Sequence, residues 1–209
     1  MFNAFEIATT PPPLRAVRYA VVDVETTGFS PRDDRVVEVA CLILDRDGAL
    51  IDEFASLVCP GRRIPYYASA VHGIHDADVA DAPSLNALAP VLQAMVGDAV
   101  IVAHNAGFDR GFLPFFDERE WLCTMRLARR YFPHAPRHTN QALRAYLGIR
   151  DPRLENMTAH RALADVLVTA GILRACLRRK AALAAIGVAR GYRGNTAAGG
   201  HRRVFLLQQ

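Results

Sequence analysis

The sequence predicts an α/β domain: one mixed β-sheet of about five strands flanked by α-helices on both faces. Three observations lead there. Three β-branched or apolar runs follow one another near the N-terminus, Tyr19 to Thr26, Arg35 to Leu44 and Leu50 to Val58. Helical and strand-like patterns then alternate as far as a long final helix. Finally, 209 residues that are 51% hydrophobic can bury one substantial core.

Residues 1–17 contain Pro11-Pro12-Pro13 and no periodicity, and are expected as a loosely packed extension. The valine-rich run Tyr19 to Thr26 reads as a strand. It should lie near the middle of the sheet, because Asp23 and Glu25 supply most of its polar character. Arg35 to Leu44 and Leu50 to Val58 are joined by Asp45-Arg46-Asp47-Gly48, so two successive hairpin connections are expected. Pro60 to Pro83 reads as a long irregular segment, a length usually reserved for function. Ser84 is placed to cap a helix running to about Val96, with Leu85, Leu88, Leu92 and Met95 on one face and Gly97 at its end.

Ala99 to Ala103 is a short apolar strand. His104-Asn105 leads into a helix that continues through Leu113 and stops near Pro114. A short strand is expected over Trp121 to Thr124. Met125 to Tyr131 and Asn140 to Leu147 look helical, separated by Pro133 and Pro136. A long helix begins near Met157, with Leu163, Val166, Leu167, Ala170 and Leu173 as its apolar stripe. Beyond Ala189 the Gly/Ala/Arg mixture reads as mobile, and no internal repeat is found.

Composition narrows the function. No run approaches the roughly 18 apolar residues that a membrane helix needs. The N-terminus lacks a basic start followed by an apolar block, so no secretory signal is expected. Cys41, Cys59, Cys123 and Cys176 form no CxxC pair. Zinc and a disulfide framework are therefore not expected, and a cytoplasmic location fits. The formal charge is +4, yet no Asp or Glu follows Asp165 while eight basic residues do, leaving −4 for residues 1–165. An acidic body with a basic tail suits a protein that holds divalent cations and meets a polyanion.

The chemistry sits in three stretches: VVDVETTGF with Asp23 and Glu25, AHNAGFDRGFL with Asp109, and AHRALADVLVTAG with His160 and Asp165. Side chains alternate along a strand, so Asp23 and Glu25 share a face at about 7 Å separation. Buried carboxylates need a compensating cation, and these stretches hold too few basic residues. His160 and Asp165 are five apart, about 140° of helical rotation, so if both serve one site Asp165 points inward from the helix and His160 must sit at or near its frayed start. Arg161, four before Asp165, offers that acid an alternative i,i+4 ion pair. Gly28 favours a tight turn just after the first pair.

The order D-x-E-T-T-G, H-N-x-x-F-D-x-x-F-L and H-x-x-x-x-D closely resembles the DnaQ-like 3′–5′ exonucleases with DEDDh active sites. That family includes the proofreading epsilon subunit of bacterial replicative polymerase. The resemblance runs from about Tyr19 to Leu177 and includes Val71-His72-Gly73-Ile74. It implies a ribonuclease H-like fold and an exonuclease domain over residues 18–180, followed by a basic flexible tail, 181–209. It also implies phosphodiester hydrolysis with two divalent ions, Mg2+ or Mn2+, held by Asp23, Glu25, Asp109 and Asp165, with Asp23 bridging and His160 as general base. Hard oxygen ligands suit those ions, and neutral histidine can accept a proton from the attacking water.

The same resemblance points to the turn from Thr26 to Phe29, to His72 and to Phe108 as walls for the terminal nucleotide. A stacked Phe29 would accept any base. His104 and Asn105 are expected to organise a helix start. The chain departs from common family habits at Cys123-Thr124, where many members carry Asp-Thr, and in the leucine-poor segment 137–142. The expected substrate is a single-stranded nucleic-acid 3′ end, DNA in preference to RNA, in proofreading or repair. An oligoribonuclease-like or tRNA-trimming exoribonuclease is the second reading. A catalytically dead binding module is the third, disfavoured because all five positions are filled. A DNA polymerase is a further expected partner, with Val204-Phe205-Leu206-Leu207 as a docking segment.

Overall fold

A computed structural model of the chain describes residues 17–155 and 157–193. The extension through residue 16 and the apolar cluster at 204–207 lie outside the described residues.

Strand β1 (Tyr19–Thr26) pairs antiparallel with β2 (Val36–Leu44), and β2 pairs antiparallel with β3 (Leu50–Leu57). The turn between β2 and β3 is closed by Asp45, whose carboxylate accepts from the backbone N–H groups of Asp47 (2.9 Å) and Ala49 (2.8 Å). On its other side β1 runs parallel to β4 (Val100–Ala103), and β4 runs parallel to β5 (Trp121–Cys123). The sheet order is β3-β2-β1-β4-β5, so β1 is central. Five strands, mixed, with β1 in the middle: the expected sheet is the observed one.

The period of two along β1 divides the core. Ala20, Val22 and Val24 pack on one face with Leu88, Leu92 and Val96 of helix α2 (Leu85–Val96). Ser84 caps that helix, its hydroxyl accepting from the Ala87 N–H at 3.3 Å. Val21 packs on the other face with Val166, Ala170 and Leu173 of the long helix α6 (Ala162–Arg193). Alternation then places Asp23 and Glu25 on the α6 face. Pairing of β1 with β4 stops at Val21, so the end of β1 bearing the acids outruns its parallel neighbour.

Helix α3 (Gly107–Phe112) follows β4 directly, and α4 (Thr124–Tyr131) follows β5. Helix α5 (Asn140–Leu147) packs beside α6, sending the Asn140 side-chain N–H to the Asp165 carbonyl (3.3 Å) and to Thr169 Oγ1 (2.8 Å). Among the described residues, no helix is long and apolar enough to cross a membrane.

Two expectations are corrected. The segment Pro60 to Pro83 contains helix α1 (Tyr66–His72), which starts after Pro65 and ends on Gly73 at φ 71°. Proline before the first turn costs no hydrogen bond, and glycine takes the left-handed exit, so both punctuate a helix rather than exclude one. Helix α6 begins at Ala162, not near Met157, because the backbone turns left-handed at His160. It then continues to Arg193, so residues 181–193 are helical; the alanine-rich stretch after Lys180 favours helix strongly.

Gly171 lies where α6 meets the loop after α5, and a Cβ there would sit 2.5 Å from Ile149 Cγ2. Overpacking costs about 1–3 kcal/mol, against a helix-propensity gain near 1 kcal/mol. Gly171→Ala should therefore lower stability, by up to about 2 kcal/mol. Urea denaturation checks this, and a raised midpoint would refute the close packing.

Candidate active site

The acids come together from three elements. Asp23 and Glu25 project from the end of β1, and Asp165 from the first turns of α6. Ligand oxygens of these three lie within 4.8 Å of one another. Asp109, on α3, is 2% exposed and falls outside that tight trio, but its charge is felt by both Asp23 and Glu25. It is held against β1 by hydrogen bonding to the Val24 backbone.

Burial and mutual repulsion dominate the electrostatics. The Asp23 carboxyl is pushed well above the ordinary range, first by burial and then by Asp109, Asp165, Glu25 and Glu38. Glu25 is pushed up to about 8 by burial, then by Asp165, Glu38 and Asp109; Arg161 pulls weakly the other way. Asp109 is raised to about 8, chiefly by burial, with backbone hydrogen bonds opposing. Burial also raises Asp165, while His160 and a hydrogen bond from Gln141 favour its ionised form. The Gln141 side-chain N–H donates to Asp165 Oδ1 at 2.8 Å. Such a group suits a hard divalent cation, which satisfies clustered oxygens and relieves their repulsion together.

His160 is exposed in the turn just before α6, with φ 61°, and its backbone lies near enough to the Asp165 carboxylate to favour the ionised acid. It sits just outside the helix start, consistent with the five-residue spacing to Asp165. The i,i+4 pair of Arg161 with Asp165 does not form. Arg161 instead reaches Glu38 on β2, with its Nε at 3.1 and 3.0 Å from the two carboxylate oxygens and NH2 at 2.6 Å from Oε1. A buried acid with no other cation competes better for guanidinium than one already served by a neutral amide.

Thr26, Phe29, His72 and Phe108 line one cavity of about 200 Å3, which also touches Glu25. Phe29 is 84% exposed and meets Phe108 edge-on, ring centres 6.5 Å apart. Phe108 in turn leans on the core residue Phe112 at 5.0 Å. The Thr26 hydroxyl donates to the Gly28 carbonyl at 2.6 Å and so shapes the turn. That turn needs glycine: a Cβ on Gly28 would lie 2.4 Å from the Asp34 carboxylate, which receives the Ser30 N–H at 3.0 Å.

His72 is buried, and burial lowers its pKa, which keeps the ring neutral. Its Nδ1 accepts from the Ile74 N–H at 3.0 Å, so the proton of the neutral ring sits on Nε2. That Nε2 is the only fully buried side-chain polar atom without a partner among the described residues. The remaining walls, Tyr67 and Val71 of α1, were missed from sequence. Their i,i+4 spacing within Tyr66 to His72, bracketed by Pro65 and Gly73, was the available signal.

His104 does not organise α3. It bridges Thr124 Oγ1 and the His138 carbonyl, both at 2.9 Å, and so ties the end of β4 to α4. Asn105 does shape the entry to α3: at φ 65° its carbonyl accepts from the Phe108 N–H at 2.9 Å.

Comparison with known proteins agrees with this arrangement. Residues 20–173 match the RNase T family model, described as exonuclease. Exodeoxyribonuclease 10 of Escherichia coli K12 is 37% identical over 153 residues, covering 73% of this chain and 66% of that protein. A PolC-type DNA polymerase III of Clostridium perfringens is 36% identical over 163 residues, covering 75% of this chain and 11% of the polymerase. The chain therefore spans less than two thirds of either relative. The solved structure of exonuclease X in complex with 5′ overhanging duplex DNA shares 34% identity at a TM-score of 0.66, covering 77% of this chain and 91% of that one. Acids grouped at the end of a central strand, beside an aromatic cavity, thus sit on a shared fold with shared sequence: the chain belongs to the RNase T exonuclease family.

Proposed function

We propose that the unit over residues 18–180 is a metal-dependent 3′–5′ exonuclease that releases nucleoside monophosphates from single-stranded 3′ ends, with DNA preferred. One observation carries this reading: Glu25 belongs both to the carboxylate cluster and to the wall of the aromatic cavity. A terminal nucleotide lodged in that cavity presents its phosphodiester to the acids. The names of exodeoxyribonuclease 10 and of the DNA-bound exonuclease X favour DNA, and the polymerase relative supports a proofreading setting beside a polymerase.

Each residue has a task. Asp23, Glu25 and Asp165, with Asp109 behind them, would hold two divalent ions, Mg2+ or Mn2+. When bound, such ions supply positive charge at the scissile phosphate and its leaving oxygen. Exposed His160, beside Asp165, is free to accept the proton of the attacking water. Phe29 offers an open face to the terminal base, and stacking there tolerates any base.

Asp23→Ala and Asp165→Asn should each reduce hydrolysis of an end-labelled single-stranded oligonucleotide in Mg2+ or Mn2+ by about 10³-fold or more, with folding retained. Residual wild-type activity in purified Asp23→Ala would sink the proposal. Matched DNA, mismatched-primer and RNA oligonucleotides rank the substrates, and faster RNA hydrolysis would reverse the stated preference. Phe29→Ala should raise KM about 10-fold, since stacking on an aromatic ring is worth about 1–3 kcal/mol per base; steady-state kinetics measures it, and an unchanged KM would remove Phe29 from the substrate wall.

The raised carboxyl pKa values also set a pH dependence. Folding raises Glu25 from 4.5 and Asp109 from 3.8 to about 8, so between those values the folded chain binds more protons than the unfolded one. Stability of the metal-free protein therefore falls as pH rises from about 4 towards 8. Melting in EDTA should show that fall, smaller in Asp109→Asn, and Mn2+ should flatten it because the ion binds the deprotonated cluster. An identical pH slope in wild type and Asp109→Asn would contradict the crowding.

A further inference from the structure

Glu38 lies directly opposite Glu25 in the β1–β2 ladder and is 5% exposed. Left alone it would add a further negative charge to the cluster. Instead its two oxygens take the three Arg161 contacts described above, and Oε2 also accepts the Ala162 backbone N–H at 2.8 Å. All these donors belong to the two residues that follow His160. One carboxylate from a distant strand thereby caps the first turn of α6 and grips the residue beside the proposed base.

His160 itself holds a left-handed backbone that residues with a Cβ rarely adopt. Such a conformation persists only where its surroundings over-determine it. Core packing flanks the turn on both sides, at Met157 and at fully buried Ala162, but does not cover His160 itself. His160 and Thr158 are exposed, and Met157, Thr158 and Arg161 line a surface cavity of about 390 Å3. Beside that packing, the polar contacts nearest the turn are those of Glu38 with Arg161 and Ala162.

We propose that the Glu38–Arg161 pair is a positioning device that locks the left-handed turn at His160 and so aims its ring at the attacking water. The kinetic part of this rests on the exonuclease reading; the conformational part does not. Arg161 acts through His160 and is not a catalytic residue. Its planar fork suits the two-oxygen contact, which lysine cannot reproduce.

The test uses the full chain with three variants. Arg161→Met removes the fork. Glu38→Gln/Arg161→Met removes both charges yet keeps an acceptor for the Ala162 N–H, which guards against unfolding by an unpaired buried acid. Glu38→Gln alone keeps a single acceptor oxygen, which can serve Arg161 or the Ala162 N–H but not both, and is the mildest of the three changes. On a single-stranded DNA oligonucleotide, Arg161→Met and the double variant should lose roughly 10- to 100-fold in kcat with KM within about twofold, and Glu38→Gln should lose less than either. Mn2+ binding by calorimetry should stay within about threefold of wild type, because the ligands are untouched. Backbone chemical shifts of His160 should report a left-handed residue in wild type and move towards extended values in the double variant. A folded double variant with wild-type kcat, or with His160 shifts unchanged, overturns the proposal. An inactive wild type would refute the exonuclease reading instead, and the His160 shifts would still decide whether the pair holds the turn.

Discussion

Like charge crowded into a desolvated space is the constraint around which this molecule is organised. Asp23, Glu25, Asp109, Asp165 and Glu38 converge where β1 outruns β4, and burial shifts the carboxyls of Asp23, Glu25, Asp109 and Asp165 towards the neutral form. The chain relieves the outer members itself. Glu38 has a guanidinium and a backbone N–H, Asp165 has Gln141 and the His160 backbone, and Asp109 has backbone hydrogen bonds. For Asp23 every contribution raises the pKa. The demand for an external cation is thus concentrated on the central strand, next to the cavity where a nucleotide phosphate would arrive.

The fold serves that concentration by simple means. A strand buried on both faces desolvates whatever it carries, and its period of two sends Asp23 and Glu25 to one side together. Stopping the parallel ladder at Val21 opens room for α3 to bring Asp109 against the backbone of Val24. Starting α6 only at Ala162 leaves His160 outside the helix while Asp165 points in. Helix α1 closes the far wall with Tyr67, Val71 and His72, so aromatic and aliphatic surface faces the acids across a narrow gap.

Much of this was legible in local pattern. Strand runs, both hairpin connections, the Ser84 cap and the bounds of α5 followed from β-branching, turn chemistry and periodicity, which act over a few residues. The errors have physical causes. Helix α1 is short and flanked by Pro65 and Gly73, residues whose meaning depends on whether they stand inside or at the edge of a helix. The start of α6 was set too early because apolar periodicity cannot register one residue turning left-handed. Arg161 was offered to Asp165 because those two are neighbours on a helix, whereas its partner Glu38 is 123 residues away.

By itself the sequence determined which residues are acids, on which elements they ride and, through strand alternation, that Asp23 and Glu25 act together; these follow from covalent order and backbone geometry. Only the tertiary structure decided which cation serves which acid, that Tyr67 joins Phe29, Phe108 and His72 around one cavity, and that His160 is held in a left-handed turn. Those outcomes are settled by competition among groups far apart in the chain, where burial decides which pairing is strongest, and no local pattern records that competition.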